Sequence, residues 1–188
     1  VKVTNGDFIA FLDCDDLWLP EKLDLQIKKI TSGDYSMCYG GCIEIDKDEN
    51  KIRSRIPQNK DGNMFESLLF QWDVCMQAIL VRKKDLLKYK LNFDKNIYAS
   101  AEYNLFMRLA VKTQFCSVKE LIVKWRIRED SLTSQQISKW AYERRYTLDK
   151  IIRENSGIEK KYRQGFEEAF ARSFYYDARY YMFKGQRK

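Results

Sequence analysis

The sequence contains no histidine. Imidazole is the usual general base near neutral pH and the commonest metal ligand, so Ser-His-Asp and Cys-His catalysis and His-rich zinc sites are excluded. Proline and glycine are scarce, two and eight in 188 residues, which excludes collagen-like and low-complexity chains. No apolar run approaches the roughly 20 residues of a membrane-spanning helix, and the first residues do not read as a signal peptide. The five cysteines, Cys14, Cys38, Cys42, Cys75 and Cys116, are odd in number and form no Cys-x-x-Cys pair. They read as reduced thiols and small core residues, which points to a cytoplasmic chain, at most peripheral at the inner face of the plasma membrane.

What is present is material for a core: 45% of residues are hydrophobic and 14% aromatic, enough for one domain with an annex. Charge is distributed unevenly. Residues 1–118 carry 17 basic and 17 acidic side chains, whereas 119–188 carry 17 and 10, so the net +7 resides in the last stretch. The chain opens on Val1, and Asn5-Gly6, a helix-stop signal, runs directly into a strand pattern. It is therefore expected to be a piece of a longer protein with an element before Val1.

Phe8-Ile9-Ala10-Phe11-Leu12 is a short apolar run bounded by Gly6-Asp7 and acids, the pattern of a strand buried on both faces. Pro20 suits a first helical turn, and Leu23, Ile27 and Ile30 recur at helical spacing. Residues 35–45 read as a strand, and 46–51 as a polar turn before a return strand around 52–56. Short helices are expected over 64–70 and after Lys83-Lys84, with a strand over 76–82 between them. A helix follows over 101–111 and a last strand over 121–127. From about Ser138 long helical patterns run to Phe183, broken at Ser156-Gly157. The expected organisation is an α/β domain over 1–135 and a basic helical extension over 136–188.

Asp13, Asp15 and Asp16 stand at the carboxyl end of the first strand, where open α/β sheets bind ligands. Unpaired carboxylates about 4 Å apart repel by several kcal/mol at an effective dielectric near 20, so the cluster favours Mg²⁺ or Mn²⁺, and such an ion favours phosphate oxygens. In an extended chain Asp13 and Asp15 point one way, free to share a ligand, while Asp16 points the other and can cap the following helix. A bland reading is that the acids only cap and solvate a loop.

Residues 5–23, Asn-Gly-Asp-Phe-Ile-Ala-Phe-Leu-Asp-Cys-Asp-Asp-Leu-Trp-Leu-Pro-Glu-Lys-Leu, resemble the central segment of family 2 glycosyltransferases, "GDYIAFLDSDDxWxPxKL". Further pieces occur in that family's order. Gln77–Lys83 resembles its strand beside the acceptor site, Phe93-Asp94 its "FDE" turn, Ala101–Leu109 its "EDYDLWLRL", and Trp125–Thr133 its "YRVHxNSLS". The resemblance covers residues 1 to about 134. It implies the glycosyltransferase A fold, a Rossmann-like mixed sheet flanked by helices, here lacking its first strands. It also implies an inverting transferase that moves a sugar from a nucleotide donor, UDP-type above all, to a glycan or lipid-linked acceptor.

By the same resemblance Asp13 and Asp15 match the family's DxD motif, which contacts the nucleotide and the Mn²⁺ or Mg²⁺ on its diphosphate, and Asp16 adjoins it at the donor. The family's Glu-Asp pair is Ala101-Glu102 here, so the catalytic-base position holds Glu102, one methylene longer than Asp. Displacement on an ångström scale can cost about 10²-fold in rate. Arg128 stands where the family often has a metal-proximal His; it cannot ligate a metal but can pair with phosphate. Asn104 replaces the family's second Asp. The segments that hold the nucleotide base in the family lie upstream of this motif.

Other readings remain open at this level. The first strand could be the nucleophile strand of a haloacid-dehalogenase-type phosphatase, but Asp16-Leu17 stands where that motif needs Gly-Thr. A non-catalytic transferase-like binding module is the second class. Cys38 and Cys42 offer no partner ligands for a metal, and Trp18 and Trp72 read as packing residues. The tail, with Arg144-Arg145, Arg172, Tyr175, Tyr176, Tyr180 and Tyr181, suits an anionic membrane surface better than nucleic acid.

Overall fold

The computed structural model describes residues 4–128 and 137–183. The chain divides into two compact units. The first comprises Val1–Met64, Asp73–Asn92 and Leu109–Arg128, the second Phe65–Trp72, Phe93–Arg108 and Glu129–Lys188.

The first unit is a mixed α/β layer. Its strands are β1 (Phe8–Ala10), β2 (Leu17–Trp18), β3 (Tyr35–Ile45), β4 (Lys51–Arg55), β5 (Ile79–Arg82) and β6 (Gln114–Arg126). They form one sheet in the order β1-β5-β3-β6-β2, with β4 also paired to β3. β5 runs antiparallel to both β1 and β3, and β3 runs parallel to β6. So β1, β3 and β6 point the same way, and their carboxyl ends lie on one side. Because β1 and β2 sit at opposite edges of the sheet, residues 11–16 must cross that carboxyl end to join them.

Helix α1 (Lys22–Thr31) covers the sheet. Its buried face is Lys22, Gln26 and Ile30 rather than Leu23 and Ile27, which are exposed. Periodicity locates the helix but selects the apolar stripe. The true inward face carries polar groups because the Gln26 amide satisfies two sheet carbonyls, donating to Cys38 at 3.0 Å and Ala78 at 2.8 Å. Lys22, 1% exposed, donates to the Gln26 side-chain oxygen at 2.6 Å and stands 4.4 Å over the Trp18 ring. Burial pushes its ammonium down to about 8, against weaker opposing contributions from Cys38 and Cys75. Pro20 lies in the turn before α1 and not in its first turn.

Four of the five cysteines are buried, as expected of small core residues, and Cys14 is exposed. Cys38, Cys42 and Cys116 lie in the sheet core with Ile30, Leu80 and Val123. Gly41 permits a close strand approach: a Cβ there would meet the Glu120 carbonyl oxygen at 2.9 Å and that of Arg55 at 3.1 Å.

Three expectations need correction. β1 ends at Ala10 and its residues are half-buried, with Leu12 exposed; among the described residues it has a strand neighbour on one side only. The strand expected over 76–82 begins with a 3-10 turn, Met76–Ala78, before β5. β6 starts at Gln114, seven residues before the expected 121, because its register against β3 shifts near Gly41 and interrupts any simple alternation.

The second unit is helical: α2 (Phe65–Phe70), α4 (Ala101–Ala110), α5 (Ile137–Glu154), α6 (Ile158–Lys161) and α7 (Arg163–Phe183); α3 (Lys83–Lys88) belongs to the first unit. Gly157 breaks the α5–α6 connection at φ +77°, a left-handed conformation that favours glycine. Phe65 of α2 packs edge-on against Tyr162, ring centres 5.2 Å apart, and lies 6.0 Å from Phe166.

Candidate active site

The segment that crosses the carboxyl end of the sheet carries the three acids. It is not extended: the Asp16 N–H donates to the Asp13 carbonyl at 3.2 Å. The alternation expected of an extended chain therefore does not apply. Each acid has a different partner. The Gln77 amide donates to Asp13 Oδ2 at 2.7 Å, and Arg128 Nη1 lies 3.7 Å from Asp15 Oδ2. Asp16 does not cap α1, which begins only at Lys22 after β2 intervenes. Instead its Oδ1 accepts the Arg126 N–H at 2.7 Å, and its residue is 6% exposed. Burial pushes this carboxyl up to about 6; the Arg126 N–H opposes the rise, and Asp15 and Asp13 add to it.

Arg126, which nothing in the sequence assigns to the site, is part of it. Its Nε donates to the Asp15 carbonyl at 3.0 Å, and Nη1 donates to the carbonyls of Asp46 and Lys47 at 3.0 Å each. Nη2 reaches Glu49 Oε1 at 3.2 Å. With its own N–H on Asp16, Arg126 joins the acidic loop to the β3–β4 turn. The available signal was a basic residue at the end of a strand, which does not say what it holds. Gln77 was equally hidden, inside a stretch that read as apolar strand. Trp18 packs as expected, its indole N–H donating to the Phe11 carbonyl at 3.2 Å.

Glu102 belongs to the second unit, in the first turn of α4. Two residues on, Asn104 is fully buried and its amide donates to the Thr147 hydroxyl at 3.0 Å. Trp72 packs edge-on against Tyr103, ring centres 5.1 Å apart. Arg128 closes the described part of its segment; the remainder of the Trp125–Thr133 motif lies outside the described residues.

Whether the acids suit a divalent ion can be judged from their donor set. Among the described residues no three His, Cys, Asp or Glu side chains gather as a metal cage. Ions of the Mg²⁺ class are commonly held by one or two carboxylates and otherwise by waters and substrate phosphates. Asp13 and Asp15 are two such carboxylates, one on an amide and the other at long range from a guanidinium, so both retain acceptor capacity.

The mixed sheet with acids at the carboxyl ends of its parallel strands has the architecture of a glycosyltransferase fold. TarS of S. aureus, residues 1–349, solved with UDP-GlcNAc, superimposes with a TM-score of 0.68 at 16% identity, covering 94% of this chain and 51% of TarS. Residues 1–90 match the profile of Glycosyl transferase family 2. An uncharacterized glycosyltransferase of Methanocaldococcus jannaschii is 26% identical over 150 residues, 79% of this chain and 51% of its own length. A 40-residue stretch, 21% of this chain and 16% of the relative, is 45% identical to WfgD of Escherichia coli, described as a UDP-Glc:alpha-D-GlcNAc-diphosphoundecaprenol beta-1,3-glucosyltransferase. Over its first 90 residues the chain is thus similar to glycosyl transferase family 2, and its fold is that of a glycosyltransferase. It spans about half the length of its archaeal relative and a fifth of that of a Rickettsia bellii glycosyltransferase, to which it is 25% identical over 142 residues, 75% of this chain.

Proposed function

We propose that the protein transfers a sugar from a UDP-type nucleotide donor to a glycan or lipid-linked acceptor with inversion. The observation that carries this reading is the loop of Asp13, Asp15 and Asp16 at the carboxyl ends of β1, β3 and β6, braced by Gln77, Arg126 and Arg128. Asp13 and Asp15 would hold Mn²⁺ or Mg²⁺, and Asp16 adds its charge from the buried side. Bound there, the ion supplies positive charge to the oxygens of a departing diphosphate. Arg128, long in its contact with Asp15, can exchange that carboxylate for a phosphate oxygen. Glu102 takes the proton of the acceptor hydroxyl as that oxygen attacks the anomeric carbon, and the bond to the nucleoside diphosphate breaks on the opposite face. The protein would act at the cytoplasmic face of the plasma membrane, with exposed Phe174, Tyr175 and Met182 of α7 meeting an anionic leaflet.

Calorimetric titration of UDP with Mn²⁺ into the full-length protein tests the donor site. Metal-dependent binding that disappears in Asp15→Asn is the expected result. Binding that survives this change would sink the reading and favour a non-catalytic module.

A further inference from the structure

One buried carboxylate of α5 is fully engaged just ahead of Glu102, and nothing assigned above uses it. Glu143 is 3% exposed. Its Oε1 accepts the N–H of Tyr98 at 2.8 Å; its Oε2 accepts the N–H groups of Ala99 at 2.7 Å and Ser100 at 2.9 Å, and the Ser100 hydroxyl at 3.2 Å. Three consecutive backbone donors thus converge on one side chain. The neighbouring turns of α5 complete the grip. Trp140 donates its indole N–H to the Ala99 carbonyl at 2.8 Å. Thr147 accepts the Asn104 amide and donates its own hydroxyl to the Glu143 carbonyl at 2.9 Å.

These residues fix how α4 begins. The Ser100 carbonyl accepts the Asn104 N–H at 3.1 Å, so Ser100 is the residue at which the helical hydrogen bonding starts. Glu102 follows two positions later, in the first turn. A helix start is ordinarily held by a local Ser, Thr, Asp or Asn side chain. Here the donors ahead of the helix are held by a carboxylate 43 residues downstream, and a negative charge at a helix N-terminus is favourable in itself. Anchoring by both N–H and C=O groups sets the position and the entry angle of the segment, and the Glu102 side chain inherits both.

We infer that Glu143 is a positioning residue for Glu102, so that a helix of the basic annex sets the geometry of the base; this rests on the reading of Glu102 as base. An error of about 1 Å in a reacting group can cost on the order of 10²-fold in rate. That makes a fixed helix start a catalytic requirement as well as a structural one. Glu143→Gln keeps the size of the side chain but turns one acceptor oxygen into an NH₂ group that opposes the N–H donors.

The test compares the full-length wild type with Glu143→Gln, Glu102→Gln and Glu154→Gln. Glu154 lies on the same helix but pairs with Arg108 at the surface, which makes it the control. UDP-N-acetylglucosamine with Mn²⁺ serves as the probe, and UDP release is followed against donor concentration. Amide exchange over 98–102 is measured in parallel. In Glu143→Gln those amides should exchange at least tenfold faster while α7 keeps its protection. kcat should fall about 10- to 100-fold with donor KM within about twofold, and Glu154→Gln should match wild type. Unchanged exchange at Glu102, or wild-type kcat in Glu143→Gln while Glu102→Gln is inactive, overturns the positioning role alone. Glu102→Gln turning over at the wild-type rate overturns the base reading instead, and leaves faster exchange in Glu143→Gln as the mark of a structural anchor only.

Discussion

The two units hold their chemically important carboxylates by opposite means. In the first, carboxylates sit on a loop and are braced by donors from distant strands: an amide on Asp13, a guanidinium near Asp15, a backbone N–H on Asp16. In the second, the carboxylate does the bracing, and Glu143 gathers the backbone donors ahead of α4. The first arrangement leaves negative charge partly uncompensated, which suits a site that takes up a cation. The second consumes its charge internally, which suits a frame. An acid-rich motif and a lone glutamate deep in a helix can thus both hold backbone in place, though only the first announces itself.

The largest effect separating the two arrangements should come from Asp15→Asn, which removes one of two candidate metal carboxylates. Metal-dependent UDP binding should weaken at least 100-fold by calorimetry while the melting temperature holds or rises, because carboxylate repulsion in the loop is relieved. Arg126→Ala should come next, since five hydrogen bonds meet at that residue and four of them use its side chain. A loss of about 3 kcal/mol in urea unfolding is expected, given buried polar groups left without partners. A loss under about 0.5 kcal/mol, the range of ordinary surface changes, would mean that the loop is held without it.

Lys22 gives a prediction in pH. Its ammonium titrates near 8 in the folded chain against an ordinary 10.5, so the unfolded state binds more protons between those values and stability must rise with pH across that window. Relative to Lys22→Met, the wild type should gain about 2 kcal/mol between pH 7 and 10, measured by denaturant unfolding at each pH. A gap that is flat in pH would place the ammonium in water. The smallest effect is expected in the second unit: Thr147→Val should cost about 1 kcal/mol, by leaving the buried Asn104 amide without its acceptor. The melting temperature reads this directly.

Much of the fold could be read from the sequence, for particular reasons. Tyr35–Ile45 coincides with β3 because a mostly apolar stretch leads into a polar turn with a clear return strand. Ala101–Ala110 was legible from the spacing of Leu105, Phe106 and Leu109, and the break at Gly157 from glycine's conformational freedom. The inner face of α1 was not legible, because apolarity predicts Leu23 and Ile27 inward, whereas Gln26 is buried by hydrogen bonds to sheet carbonyls that only the fold supplies. Among the candidate site residues, Asp13, Asp15 and Asp16 were found as a run. Their partners Gln77 and Arg126 were not, since they lie 64 and 110 residues away from the acids that they meet.

The Arg126 junction also has a mechanical consequence. One rigid guanidinium is bonded at once to the acidic loop and to the turn at Asp46, Lys47 and Glu49, so neither can be displaced without pulling on the other. The backbone of the acidic loop at Asp15 and the tip of the β3–β4 hairpin thus share a single clasp, and one side chain fixes the spacing between them.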